Sequence, residues 1–95
     1  MTLRISGKHM DVGDSLKGKI EDRINDAVDK YFGHGFSGHV NMEKQGAFFT
    51  CDCMLRLDSG VTLQASAREN DAHVSFDQAA DRIEKRLRRY KRKLK

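Results

Sequence analysis

Residues 48–67, FFTCDCMLRLDSGVTLQASA, decide the fold. Phe49, Cys51, Cys53, Leu55 and Leu57 alternate with Phe48, Thr50, Asp52, Met54 and Arg56. A period of two sends the first set to one face of a strand and the second to the other. Asp58-Ser59-Gly60 reads as a hairpin turn, and Val61, Leu63, Ala65 and Ala67 form the returning strand. A hairpin with one apolar face must be covered, and the flanking sequence supplies helices to cover it.

Toward the N-terminus, Lys44-Gln45-Gly46 reads as a turn, and Val40 and Met42 alternate before it. Gly33-His34-Gly35-Phe36-Ser37-Gly38 reads as a loop. Leu16, Ile20, Ile24, Ala27, Val28 and Tyr31 recur at helical spacing, with Gly13 or Asp14 as cap and Gly33 as stop. Gly18 inside this helix weakens it by up to about 1 kcal/mol relative to Ala. Leu3 and Ile5 alternate with Arg4 and Ser6, a short half-buried strand. Toward the C-terminus, Arg68-Glu69-Asn70-Asp71 connects to a second helix. Its Phe76, Ala79, Ala80, Ile83, Leu87, Tyr90 and Leu94 form one apolar stripe. The expected order is β-α-β-β-β-α. This is an α+β two-layer sandwich with two helices on one face of a four-stranded sheet, sharing the α-β-β-β-α core of double-stranded RNA-binding modules.

Ninety-five residues suffice for one domain with a small core, so residues 1–95 are read as a single domain. No stretch approaches the roughly 18–20 apolar residues of a membrane span, and the start lacks a secretory signal. Cys51 and Cys53 are alternate residues of one strand, a poor arrangement for bridging each other. They read as buried core thiols in a reducing, cytoplasmic protein.

Charge is distributed very unevenly. Arg82 to Lys95, RIEKRLRRYKRKLK, holds nine of the eighteen Lys and Arg against one acid, Glu84, a local balance of +8. The preceding eighty-one residues carry nine bases and thirteen acids. On the second helix Arg82, Lys85, Arg86, Arg89, Arg92 and Lys93 share one arc, while Asp77, Asp81 and Glu84 occupy the other flank. A solvated face favoured by the helix dipole is the plain alternative, at about 0.3–1 kcal/mol per charge near the ends. Against it stand the like-charge i, i+4 pairs Arg82/Arg86, Lys85/Arg89, Arg88/Arg92, Arg89/Lys93 and Lys91/Lys95. Each costs roughly 0.2–0.5 kcal/mol, which offsets the dipole gain. Stability alone does not select such a helix, and the arc reads as a surface for a polyanion, RNA or DNA. Guanidinium forks suit phosphate oxygens, and no base-reading code is visible.

Other motifs carry less. Gly33 to Gly38 matches G-x-G-x-x-G, but a helix precedes it and a strand follows, the reverse of the dinucleotide motif. Cys51-x-Cys53 and the scattered His9, His34, His39 and His73 do not make a zinc set. No nucleophile elbow, P-loop or H-E-x-x-H is present, so neither cofactor, metal nor catalysis is expected. Phe48, Met54 and Arg56 on the open sheet face leave a protein-interaction module as a rival reading.

Ile5-Ser6-Gly7-Lys8-His9-Met10-Asp11-Val12, Asp58-Ser59-Gly60, Ala65-Ser66-Ala67, Asp71-x-x-x-x-Phe76-Asp77 and the closing Arg82–Lys95 run carry a resemblance. Together they are similar to the bacterial ribosome hibernation promoting factor / ribosome-associated inhibitor A family, over the whole chain. That resemblance implies the same element order and no catalysed reaction. It implies binding to the small (30S) ribosomal subunit in the channel that holds messenger RNA and the A- and P-site transfer RNAs. It also implies 16S rRNA contacts that silence translation under stress or in stationary phase. The matching RNA-binding positions are Lys8, Arg23 and Lys30, then Arg82, Lys85, Arg86, Arg89, Arg92 and Lys93. The chain departs from the family at His73, where an aromatic is common, and at Gly13, where Ser or Thr often caps the helix. The resemblance implies either a short form or the N-terminal domain of a long form, with ribosome dimerisation only if a C-terminal domain exists beyond Lys95.

Overall fold

The computed structural model describes residues 2–32 and 35–93. Its elements are β1 (Thr2–Lys8), α1 (Asp14–Tyr31), β2 (Phe36–Gln45), β3 (Phe48–Leu57), β4 (Thr62–Glu69) and α2 (Ala72–Lys93). The strands lie in the order β1-β2-β3-β4, with β1 parallel to β2 and the other neighbours antiparallel. Both helices cover one face, as the alternation in β3 requires.

Register turns that alternation into a layer. Val40, Cys53 and Ala65 lie opposite one another across β2, β3 and β4, as do Met42, Cys51 and Ala67. All six are buried, and α1 adds Leu16, Ile20, Ile24, Ala27 and Val28 to the same core. From α2 come Phe76, Ala79, Ala80, Ile83 and Leu87, all without solvent exposure. Each such side chain contributes roughly 1.5–3 kcal/mol on burial if large and apolar. The Cys51 and Cys53 sulfurs are 3.9 Å apart, and both thiols are free. Hydrogen bonding to Cys53 and then burial push the Cys51 thiol well up, so it packs as a small protonated hydrophobe.

Three segments are more regular than their composition suggests. Phe36-Ser37-Gly38 is strand, not loop, because Phe36 is buried opposite Leu57 and Gly38 pairs with Leu55. A Cβ on Gly38 would sit 2.8 Å from Leu55 Cδ2 and 3.1 Å from the Met54 carbonyl, so glycine here serves close packing. Lys44 and Gln45 pair with Phe49 and Phe48, leaving a two-residue turn at Gly46-Ala47 with Gly46 at φ +61°. Arg68 and Glu69 pair with Thr50 and Phe49, so β4 runs on and only Asn70-Asp71 connects to α2. In each case the partner strand continues, and cross-strand pairing outweighs local propensity. The turn at Asp58-Ser59-Gly60 stands as expected, closed by the Leu57 N–H donating to the Val61 carbonyl at 3.0 Å. The proposed stop at Gly33, the start of the G-x-G-x-x-G match and the last stripe residue Leu94 lie outside the described residues.

Asp71 caps α2, its Oδ1 accepting from the Val74 N–H at 3.1 Å. Gly13 occupies the cap of α1 without a side-chain bond. Between the helices, Glu84 gathers three donors. Arg23 Nη1 reaches Glu84 Oε1 at 2.7 Å, Lys30 Nζ reaches Oε2 at 3.4 Å, and the Tyr31 hydroxyl donates to Oε2 at 3.2 Å. Arg23 also pairs with Asp81 at 3.1 Å, and Lys19 with Asp77 at 2.9 Å. Isolated surface pairs contribute little. Glu84, whose side chain keeps only 18 % of its exposure, is different. Partial burial raises its pKa, but the hydrogen bond and charge of Arg23, then of Lys30, outweigh that and hold it below the ordinary carboxylate range.

Gly18→Ala has open space around the new methyl and should stabilise the chain by up to about 1 kcal/mol. Gly38→Ala should destabilise it by roughly 1–3 kcal/mol, both read from urea unfolding midpoints. For Glu84 the folded pKa is depressed, so its contribution is present above the unfolded value of about 4.3 and fades as pH falls through the folded one. The stability gap between wild type and Glu84→Gln should therefore be full at pH 7 and shrink in strongly acid solution. A gap that stays constant with pH would exclude the clasp.

Candidate nucleic-acid interface

The arc of bases on α2 takes its place from the faces beside it. The buried stripe lies on β3 and β4, and the acidic flank of Asp77, Asp81 and Glu84 faces Lys19, Arg23 and Lys30 of α1. At about 100° per residue, Arg82, Arg86, Arg89 and Lys93 are thereby turned to the β4 side. Lys85 and Arg92 crown the helix. All six are exposed, and among the described residues none of them has an ion-pair partner. Like charges held this close, without acids, make a surface of positive potential.

The structure brings the α2 members of the sequence-derived set together and separates the others. Arg82 reaches around the sheet edge and donates to the Ser66 carbonyl of β4. Arg86 lies beside it, at the rim of a hollow on the open face of the sheet. Arg89, Arg92 and Lys93 continue the same surface toward the C-terminal end. Arg23 and Lys30 adjoin it on the α1 side, but both are engaged by Glu84. Burial acts against the Arg23 charge, and Glu84 with Asp81 outweighs it, so the pair is a structural clasp first. Lys8 stands apart. It ends β1, the opposite edge strand, three strand spacings or roughly 14 Å from β4, and sits 4.0 Å from Glu43.

Several residues outside the sequence-derived set flank this surface. Arg88 lines a small cleft with Arg23, Asp81, Glu84 and Lys85. Lys91 lies over the Phe32 ring at 5.9 Å, and Phe32 stacks against Tyr90 with centroids 5.7 Å apart. The Tyr90 hydroxyl meets Ser59 of the β3–β4 turn at 3.0 Å, so the basic end of α2 is braced from both sides. Helical spacing predicts that Arg88 and Lys91 face away from the main arc. Nothing local says what they meet.

The open face has four strands of outward side chains in register. One row is Ser6, Asn41, Asp52 and Ser66, and the next is Arg4, His39, Met54 and Gln64. Phe48 is 42 % exposed and Met54 38 %, yet they form no continuous apolar patch. Six residues of β3, roughly 20 Å, separate them. The Arg68 guanidinium covers the Phe48 ring at 4.4 Å. This face is polar, which weakens its reading as an apolar docking surface for a protein. Among the described residues, no cluster of three or more His, Cys, Asp or Glu side chains is arranged to hold a metal ion, and no helix is long and apolar enough to cross a membrane.

Comparison with known proteins agrees with this architecture. The chain is 55% identical over 95 residues to a ribosome hibernation promotion factor of Rhizobium meliloti, and 52% identical to one of Bradyrhizobium diazoefficiens. It spans about half the length of each, 50% and 47%. A ribosome hibernation promoting factor of Azotobacter vinelandii is 28% identical, with 85% of its length covered. The N-terminal domain of Thermus thermophilus Protein Y superposes with a TM-score of 0.86 at 19% identity, covering 95% of this chain and 99% of that one. A ribosomal subunit interface protein from Coxiella burnetii gives 0.82 at 20%, covering 96% and 98%. At those identities the two structures speak to the fold alone. Residues 3–95 match the family described as Sigma 54 modulation protein / S30EA ribosomal protein, and with the fold and the basic helix already in place, the chain belongs to that family.

Proposed function

We propose that residues 1–95 form one ribosome-binding domain of a hibernation factor. It binds the small (30S) subunit in the decoding channel, over the messenger RNA path and the A and P sites. There it contacts 16S rRNA and blocks translation under stress or in stationary phase. Binding alone suffices for this action, because an occupied channel admits neither messenger nor transfer RNA. The observation that carries the reading is the exposed face of Arg82, Lys85, Arg86, Arg89, Arg92 and Lys93, with no ion-pair partner among the described residues. The names of the rhizobial relatives, both ribosome hibernation promotion factors, support the choice of RNA partner.

The mechanism is electrostatic and steric. Guanidinium groups on a rigid, braced helix meet phosphate oxygens with little loss of side-chain freedom per bond. Six to eight phosphate contacts would give a log–log salt slope of about −4 to −7. Backbone contacts of this kind position the protein but read no sequence, so target choice comes from shape. Arg23 and Lys30 contribute their charge at one flank while keeping α1 on α2. Their loss should lower stability as well as affinity.

A generic double-stranded RNA-binding module is the nearer rival, since it shares the α-β-β-β-α core. Such modules place bases at the start of the last helix. Here that start holds Asp71 as cap, then Asp77 and Asp81 paired with Lys19 and Arg23.

Arg86→Glu combined with Arg89→Glu alters two exposed residues and should leave unfolding unchanged. Co-sedimentation with isolated small and large subunits across a salt series should show saturable, roughly one-to-one small-subunit binding for wild type. For the double variant, affinity should drop by two orders of magnitude or more. Unchanged affinity would sink the basic-face assignment. Equal binding to both subunits, or ready competition by duplex RNA, would reduce the chain to a generic RNA binder.

A further inference from the structure

The centre of the open sheet face carries a hollow of about 480 Å³ that is open to solvent, its volume within the range of small-ligand sites. Its floor comes from the two middle rows of the register, with Asn41, Asp52, Met54 and Gln64 at the centre. Arg82 and Arg86 of α2 stand at its β4 rim. The hollow is therefore continuous with the basic face, although it lies on the side of the sheet that α2 does not cover.

The hydrogen-bonding character of the floor is well defined. Ser6 Oγ donates to Asn41 Oδ1 at 3.0 Å, so its contact with His39 Nε2 at 2.8 Å must be one that it accepts. With the network so assigned, His39 Nε2 carries a proton and donates to Ser6, while the Asn41 amide keeps its NH₂ donors. Asp52 is exposed between Asn41 and Ser66, and among the described residues it has neither a hydrogen-bond nor an ion-pair partner. Met54 contributes a polarisable apolar wall.

A carboxylate with two vacant acceptors calls for two adjacent donors. Among the four RNA bases only guanine presents such a pair, N1–H and N2–H, on its Watson–Crick edge. The guanidinium at the rim calls for an anion. From Asp52 on β3 to the rim beyond β4 is about two strand spacings, roughly 10 Å, comparable to the reach from a base edge to its own phosphate.

We propose that this hollow binds an unpaired guanine nucleotide. Asp52 accepts N1–H and N2–H, Asn41 and Gln64 bond the remaining polar edge, Met54 packs against the ring, and Arg86 with Arg82 holds the 5′-phosphate. The assignment rests on the RNA reading of α2 and adds to it a base-specific contact, which phosphate binding alone lacks.

Titration of the isotopically labelled chain with GMP, AMP, CMP, UMP and inorganic phosphate, followed by amide resonances, tests it without any ribosome. GMP should shift the Asn41, Asp52 and Gln64 amides saturably, with an affinity about tenfold or more above the other nucleotides. Asp52→Asn should erase that preference while the rest of the spectrum keeps its native dispersion. The wild-type ranking decides the matter even if that variant folds poorly. Equal responses to all four nucleotides, or the same response to phosphate alone, would overturn the guanine site and leave small-subunit binding standing. A clear GMP preference in a chain that fails to bind the small subunit would instead keep the site and remove the ribosome reading.

Discussion

The rotation of α2 about its own axis is the constraint on which the surface depends. Two interactions set it. The stripe from Phe76 to Leu87 is buried on β3 and β4, and Glu84, one flank away, is held by Arg23, Lys30 and Tyr31 of α1. A turn of one residue about the axis would drive a guanidinium or an ammonium into the core, at a cost far above that of any surface pair. With the rotation fixed, the remaining bases have one direction left, outward and over the β4 edge.

The same arrangement resolves the like-charge problem on α2. Asp77, Asp81 and Glu84 would neutralise the neighbouring bases if they were free, but α1 claims them through Lys19, Arg23 and Lys30. The i, i+4 repulsions are thus not relieved within the helix. They are tolerated because core burial and the braces at Tyr90 hold the helix in place. Arg82 has a second effect. By taking the Ser66 carbonyl it occupies part of the open edge of β4, which would otherwise offer unpaired backbone groups to another strand.

Much of this was legible in residue order. Alternation in 48–67 determined the covered face of β3, and the helical stripes determined which sides of α1 and α2 face inward. Both readings are local, because a strand or helix carries its own period. The misread segments share one cause. Phe36-Ser37-Gly38, Lys44-Gln45 and Arg68-Glu69 contain the residues of loops and turns, but each lies opposite a strand that continues, and ladder pairing over many residues overrides short-range propensity.

For the interface, the sequence by itself determined which bases share a helix face, since i, i+3 and i+4 spacing needs only one element. Tertiary structure decided which of those charges meet a partner. Arg23 and Lys30 resemble the α2 bases in type and spacing, yet they close on a carboxylate more than fifty residues away. Asp52, an unremarked acid in the sequence, has no hydrogen-bond or ion-pair partner among the described residues and lines one hollow with two arginines that arrive from another layer. Coulomb and hydrogen-bond energies fall steeply with distance and depend on burial, so the identity of a charge is written in the chain, whereas its role depends on what the fold places within a few ångströms of it.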